Sequence, residues 1–448
     1  MLEIKAAREI RGTVEMPPSL DQYIVSSVAA LLSQRKTTIS PVPRCPALQE
    51  WNRVIAPQCT LEQHGDTTII NPPGETAERV IALPDYHIPF RDFVIFSLLG
   101  TGKTLQLQSV PERRIEYWSE CATLFGCRLD IFSDGQTTSL SLSETGNFTQ
   151  SFADISFDNL YPFIGLAFAL KKKIDAGIPF QFTSILRPLL AAFGYECRVS
   201  SNLPPAKRDS LKRRIRMLKK KKRSDGQILS TVAIDFSAAP GSDVSIRTGG
   251  DELLSALFLV AKSIVQKGSF MLDNVSLATG TVPLLDLQKK MGARPGIQET
   301  GQSSFGPVGM VQFQNFDLVN RKIICRPFCH YADQVPAMVV AAAFAAGQSI
   351  FRELEDMRRD APDGIEQINN CLRLLGARLG EMPDGIVVDG AGQFDGFDLD
   401  SEISPAVNAA FAVAGLKCMG TTTVADTAIQ KRWPRFNEML QSVCQFRK

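Results

Sequence analysis

The residues of this chain able to bind charge or move a proton fall in short polar stretches between long apolar ones. Arg91 follows Asp85-Tyr86-His87-Ile88-Pro89-Phe90, Arg113 opens Arg113-Arg114-Ile115, Arg358 and Arg359 precede Asp360-Ala361-Pro362, and Lys431 stands before Arg432 and Trp433. Guanidinium and ammonium groups are what a phosphate or carboxylate site requires, because charge-assisted hydrogen bonds offset the desolvation of the anion. The same cations could equally be solvated surface charges. Asp333, in HYADQVPAM, could take a proton from a hydroxyl, and a lone aspartate in a loop serves as readily as a structural acceptor.

Other chemistries find little support. The chain has only His64, His87 and His330, and its ten cysteines include no CxxC pair, so a zinc site is not expected and no cofactor is implied. The cysteines read as reduced core residues. The run GTGKT at Gly100–Thr104 lacks the full phosphate-loop spacing and leads into alternating LQLQSV, which predicts a turn before a strand. No apolar run reaches the length of a membrane span, and the first ten residues carry charges, so the expected location is cytoplasmic.

Charge is unevenly distributed. Between Lys207 and Arg223, eleven Lys or Arg stand against Asp209 alone, whereas outside that segment 38 basic residues face 46 acidic ones. The densest part, Lys219, Lys220, Lys221, Lys222 and Arg223, is a candidate polyanion-binding element; a solvated segment and a contact with the acidic body of the same chain are the competing readings. No aromatic residue is interleaved for base stacking.

These groups must be held by something, and the sequence shows a repeating unit: an amphipathic helix closed by an apolar residue and Gly, then a strand. Copies end at Phe125-Gly126-Cys127, Phe193-Gly194-Tyr195, Met291-Gly292-Ala293 and Leu375-Gly376-Ala377, with weaker ones at Ala47–Cys59 and Pro434–Val443. Tyr23–Leu32, Leu253–Val265, Ala337–Ala346 and Val407–Leu416 are apolar almost all round, as buried helices are. Six units exceed one core and predict two α/β domains of three units each.

Several stretches resemble the enolpyruvyl transferase family, and within it the 3-phosphoshikimate 1-carboxyvinyltransferases. EIRGTVEMPPSLDQYIVSSVAALL opens the chain as that family opens, and GFDLDSEISPAVNAAFAVAGLKCMGTTTVADTAIQKRWPRFNEML closes it as the last repeat does. LLDLQKKMGA, HYADQVPAMVVAAAFAAG and CLRLLGARLGEMPDGIVVDG lie between them in the family's order. The resemblance implies a two-domain inside-out α/β barrel of six βαβαββ repeats, helices inside and sheets outside. It assigns residues 1–15 and 227–448 to one domain and 16–226 to the other.

By the same resemblance, Asp333 matches the aspartate that accepts a proton from the attacking hydroxyl, while Arg91, Arg113 and Lys431 match ligand-binding cations. Arg358 and Arg359 lie just before the place of another. Elsewhere the family's charged residues are replaced. Its Gly-Ser-Lys-Ser loop reads Pro18-Ser19-Leu20-Asp21, with Val25 at a later arginine; its Lys-Glu-Ser/Thr-Asp-Arg motif reads Asp360-Ala361-Pro362-Asp363-Gly364; its Asp-His-Arg motif reads Ser404-Pro405-Ala406; and its Ser-Ser-Gln motif falls near Leu160-Tyr161-Pro162. Losing the cations at Leu20, Gly364 and Ala406 removes roughly 4–9 kcal/mol of charge-assisted hydrogen bonding to phosphoenolpyruvate. The expectation is a diverged or catalytically inactive member binding a small anionic ligand, such as phosphoenolpyruvate or a phosphorylated acceptor, or a partner between its domains. The alternative is an active shikimate-pathway transferase moving an enolpyruvyl group to a hydroxyl of shikimate 3-phosphate or a related acceptor.

Overall fold

A computed structural model describes residues 1–72, 78–83, 90–108, 110–144, 148–152, 157–179, 186–201, 229–237, 241–277, 285, 288–313, 318–320, 322–324, 333–390 and 392–446. Its sheets repeat one pattern. Val80–Leu83 runs parallel to Thr104–Gln108, which pairs antiparallel with Thr137–Glu144, which pairs antiparallel with Cys127–Ser133. The order recurs in Ser151–Phe152, Lys173–Pro179, Leu229–Asp235 and Cys197–Ser201, and in Val244–Arg247, Thr37–Ser40, Thr67–Asn71 and Thr60–His64. It recurs again in Gly12–Glu15, Phe270–Ser276, Gly306–Phe313 and Pro295–Ser303, and in Lys322–Ile324, Gly347–Arg352, Gly385–Gly390 and Arg378–Met382. A shorter version joins Asp398–Leu399, Thr421–Val424 and Leu2–Lys5.

Parallel neighbours require a crossover, and in four of these six sheets it is a single buried helix; in the sheets of Thr37–Ser40 and Phe270–Ser276 the parallel partner instead comes from a segment on the far side of the first core in sequence. Leu20–Ser33, Arg91–Leu99 and Phe157–Ala169 fill one core; Glu252–Val265, Val335–Ala343 and Pro405–Gly415 fill the other. The sheets shield these helices from water, with strands such as Thr37–Ser40 alternating buried and half-buried residues. The expected α/β architecture, helices inside and sheets outside, is what the chain forms. Each repeat-closing helix ends as its sequence predicts: Gly126, Gly194, Gly292 and Gly376 all have positive φ, between 77° and 112°.

The two cores are separate clusters. One runs from Leu20 to Ile246 and takes in Phe305; the other joins Leu2–Met16 to Leu253–Cys444. The return of the chain expected at residue 227 therefore comes later, because Leu229–Asp235 and Val244–Arg247 are bonded into sheets of the first core. The two crossing segments lie side by side. Ser19 N donates to Gly249 O at 2.9 Å and Asp251 N to Pro17 O at 2.8 Å. A Cβ on Gly250 would stand 1.9 Å from the carbonyl oxygen of Asn274, so only glycine fits this crossing.

None of the eight described cysteines is in a disulfide, and seven are buried. The GTGKT run is a turn: Gly100 caps the preceding helix, Gly102 has φ 76°, and Thr104 begins a strand. Among the described residues no helix is long and apolar enough to cross a membrane.

Candidate functional site

Between the two cores lies a cavity of about 500 Å³. The buried crossover helices present their first turns to it: Leu20 and Asp21, Arg91 and Asp92, Glu252 and Leu253, Pro336, and Pro405 with Ala406 line its wall. Helix N-termini carry about half a positive charge each and attract anions. In this chain the anions are its own. Asp21, Asp92 and Glu252 sit in first turns, and Asp251 caps its helix by accepting from Leu254 N at 2.8 Å.

At one end, two arginines of the first core meet two aspartates of the second. Arg114, buried on the inward face of Glu112–Leu124, donates to Asp356 and to Asp360, each at 2.8 Å. Arg91 donates to Asp360 at 3.1 Å and lies 3.6 Å from Asp356 and 3.7 Å from Asp92. Arg359 reaches Asp356 at 2.8 Å, and its guanidinium lies 4.4 Å from the Tyr117 ring centroid. Burial alone would raise the Asp356 carboxyl, but Arg114, Arg91 and Arg359 outweigh it and hold the group well below the usual carboxylate range. Burial likewise opposes the charge on Arg114, and Asp356, Asp92 and Asp360 reverse that, so it stays protonated throughout. Charge here is balanced within the protein.

The other end is crowded with carboxylates. Arg432 bonds Asp21 at 2.5 Å and lies over the Trp433 ring, whose indole N–H donates to Asp251 at 3.1 Å. Glu252 accepts from the Ser19 hydroxyl at 2.7 Å and from the Gln22 amide at 2.5 Å. Asp333 stands exposed on the same wall. Burial first, then the charges of Asp251, Glu252 and Asp333, push the Asp21 carboxyl up to about 7 against the pull of Arg432. Lys431 is tied to Glu50 of the first core at 2.5 Å.

The expected site residues separate on this frame. Asp333, Arg91 and Lys431 line the cavity. Arg113 does not: it is exposed, and Arg114 takes the inward place. Helical phase carries that signal, since Arg114, Tyr117, Trp118, Cys121 and Ala122 form one buried stripe at i, i+3, i+4 spacing. Arg358 turns away from the cavity, bonded to Asp363 and Glu381, each at 2.8 Å, and to the carbonyls of Met382 and Pro383; it clasps its own loop. Leu20, Gly364 and Ala406, where the resemblance expects cations, do line the wall and bring no charge. Sequence reasoning gave no role to Asp356, Gln334 or Arg432. Lys219, Lys220, Lys221, Lys222 and Arg223 lie outside the described residues. Among the described residues no cluster of ligands could hold a metal ion.

Comparison with known proteins bears on this geometry. A sequence model of the EPSP synthase (3-phosphoshikimate 1-carboxyvinyltransferase) family matches residues 235–440. The 3-phosphoshikimate 1-carboxyvinyltransferase of Gloeobacter violaceus is 30% identical over 258 residues, 57% of this chain and 59% of that protein. That of Salinibacter ruber is 32% identical over 196 residues, 43% of this chain and 46% of that protein. The chain thus spans about half the length of these curated relatives, 59% of the first and 46% of the second. In fold the likeness extends along the chain: an EPSP synthase structure from Acinetobacter baumannii superposes with a TM-score of 0.69 over 99% of this chain and 98% of that one, at 15% identity. The enolpyruvyl transferase NikO from Streptomyces tendae does so with the same TM-score and coverage, at 14% identity. In sequence over its second half and in fold over its whole length, this chain resembles the enolpyruvyl transferase family, with a domain of the EPSP synthase type.

Proposed function

We propose that the chain is a diverged member of the enolpyruvyl transferase family that does not transfer an enolpyruvyl group and instead binds a small ligand between its two halves. The observation that carries this reading is the pairing of Arg91 and Arg114 with Asp356 and Asp360 from the opposite half. A phosphoenolpyruvate phosphate would have to displace those carboxylates and leave them buried beside a dianion. Each charge-assisted bond given up is worth about 1.5–3 kcal/mol, before any like-charge repulsion. The cations that the family resemblance places at Leu20, Gly364 and Ala406 are also absent from the cavity wall.

A second reading, an active transferase acting on a phosphorylated hydroxyl acceptor such as shikimate 3-phosphate, draws on Asp333, which lines the cavity as a proton acceptor would. It requires the Arg91 and Arg114 pairs to open so that an anionic ligand can enter. Phosphate release from phosphoenolpyruvate in the presence of shikimate 3-phosphate separates the two. The expected result is release at the background rate, with no saturable binding of either compound. Steady turnover would establish the transferase instead.

A further inference from the structure

The charged groups on the cavity wall are already committed to one another. Each described cation lining it is engaged by a carboxylate: Arg91 by Asp92, Asp356 and Asp360, Lys431 by Glu50, and Arg432 by Asp21. Glu252 accepts from Ser19 and Gln22. Asp333 is exposed, and with Asp21 and Asp251 it stabilises the charge on Arg432. An anion entering the cavity would have to break pairs such as Arg91 with Asp360, leaving the displaced carboxylate without compensation. A cation could pair with Asp333, but a water-exposed ion pair adds little affinity. Much of the remaining wall is apolar, supplied by Leu20, Ile24, Trp51, Leu253 and Met357.

A second, independent observation concerns Gln334, the residue before the helix Val335–Ala343. It lines the cavity and is 1% exposed, yet neither its amide oxygen nor its amide nitrogen has a hydrogen-bond partner among the described residues. Buried polar groups in folded proteins are paired, so an amide with both ends unmet marks a missing partner. A glutamine amide sets a carbonyl acceptor beside an N–H donor, and a ligand carboxamide presents the same two groups in reverse, so the two close a pair of hydrogen bonds face to face. A carboxylate can only accept and an amidinium can only donate, and either would leave one end of Gln334 unmet. Both amide atoms are covered in this conformation, and rotation of the glutamine side chain brings them to a ligand at the wall.

We infer that the cavity takes an uncharged small molecule with an apolar body and a carboxamide, or a lactam of the same donor and acceptor pattern, paired to Gln334. This inference rests on the reading above that the site has left phosphoenolpyruvate chemistry, and it adds the ligand class. No covalent bond is made or broken; Gln334 gains its partners while the ion pairs of the wall stay closed.

The test uses the full chain near neutral pH with benzamide, benzoate and benzamidine, which share a ring and a planar substituent and differ in charge, and with phosphoenolpyruvate as comparator, read by saturation-transfer NMR. The expected result is saturable binding of benzamide in the millimolar range or tighter, at least about tenfold tighter than benzoate or benzamidine. Gln334→Leu should weaken benzamide by about tenfold and leave toluene, which lacks the amide, unchanged. Gln334→Met serves if the first variant does not fold, and circular dichroism checks both. Benzoate or benzamidine binding as tightly as benzamide, no saturable binding of benzamide, indifference of benzamide to the substitution, or an equal loss of toluene would overturn the inference. Such a failure with phosphoenolpyruvate inert leaves the non-transferase reading standing. Binding and turnover of phosphoenolpyruvate would remove both.

Discussion

Arg114 and Asp356 meet at 2.8 Å across the cleft, from opposite cores and 242 residues apart, with the arginine side chain fully buried. A buried guanidinium cannot be left alone, so the two halves are bound together wherever this pair holds. Removing one partner of a buried pair costs about 3–5 kcal/mol, because the other charge stays behind without compensation. Arg114→Met and Asp356→Leu are each expected to destabilise the chain by that amount in urea unfolding. The double variant should lose less than the sum, by about 0.5–3 kcal/mol. Strict additivity would show that the two do not act as a pair.

The neighbouring arginine supplies a control. Arg113 is exposed on the same helix, and Arg113→Ala should change stability by no more than about 0.5 kcal/mol. Arg114→Ala should cost several times as much. Equal effects in thermal unfolding would contradict the helical phase that puts Arg114 inward.

Much of the fold was legible because it rests on local patterns. Helices apolar on all faces, such as Leu253–Val265, have nowhere to go but the core, and the glycines that close the repeats announce their own left-handed backbone. Phe157–Ala169 was harder to read. Pro162 interrupts it, and its Gly165 marks contact with a neighbour, since a Cβ there would stand 2.6 Å from the Phe93 carbonyl oxygen. The site was legible in part. Arg91, Asp333 and Lys431 line the cavity, but the motif match points to Arg113 where the 3.6-residue period points to Arg114. Asp356 and Asp360 carry no local signal as the partners of Arg91 and Arg114. That pairing exists only once two separate cores are docked.

The basic segment is open to a direct test. Replacing Lys219–Arg223 by serine removes five positive charges. If the segment engages polyanions, retention on heparin should fall clearly while the melting transition stays in place, and the parent's retention should drop steeply with salt as counterions are released. Unchanged retention returns these residues to a solvated role.

The cleft should respond to pH at its two ends in opposite senses. Asp356, held down by Arg114, Arg91 and Arg359 against its burial, stabilises the fold above the ordinary carboxylate range, and that contribution is lost as pH falls through its depressed value. Asp21 behaves the other way. Its carboxyl, raised to about 7 by burial and by Asp251, Glu252 and Asp333 beyond what Arg432 offsets, binds a proton more tightly in the folded chain than in the unfolded one. Stability contributed by protonated Asp21 is therefore present at acid pH and lost as pH rises from about 4 to about 7, by up to about 4 kcal/mol over that span. Asp21→Asn keeps an acceptor for Arg432 and abolishes the titration. Urea unfolding of parent and variant from pH 5 to 8 should show the variant gaining on the parent steadily as pH rises, with the difference levelling off above about 7.5. A constant difference across that range would mean that Asp21 is already ionised at pH 5, and that Arg432 outweighs both its burial and its acidic neighbours.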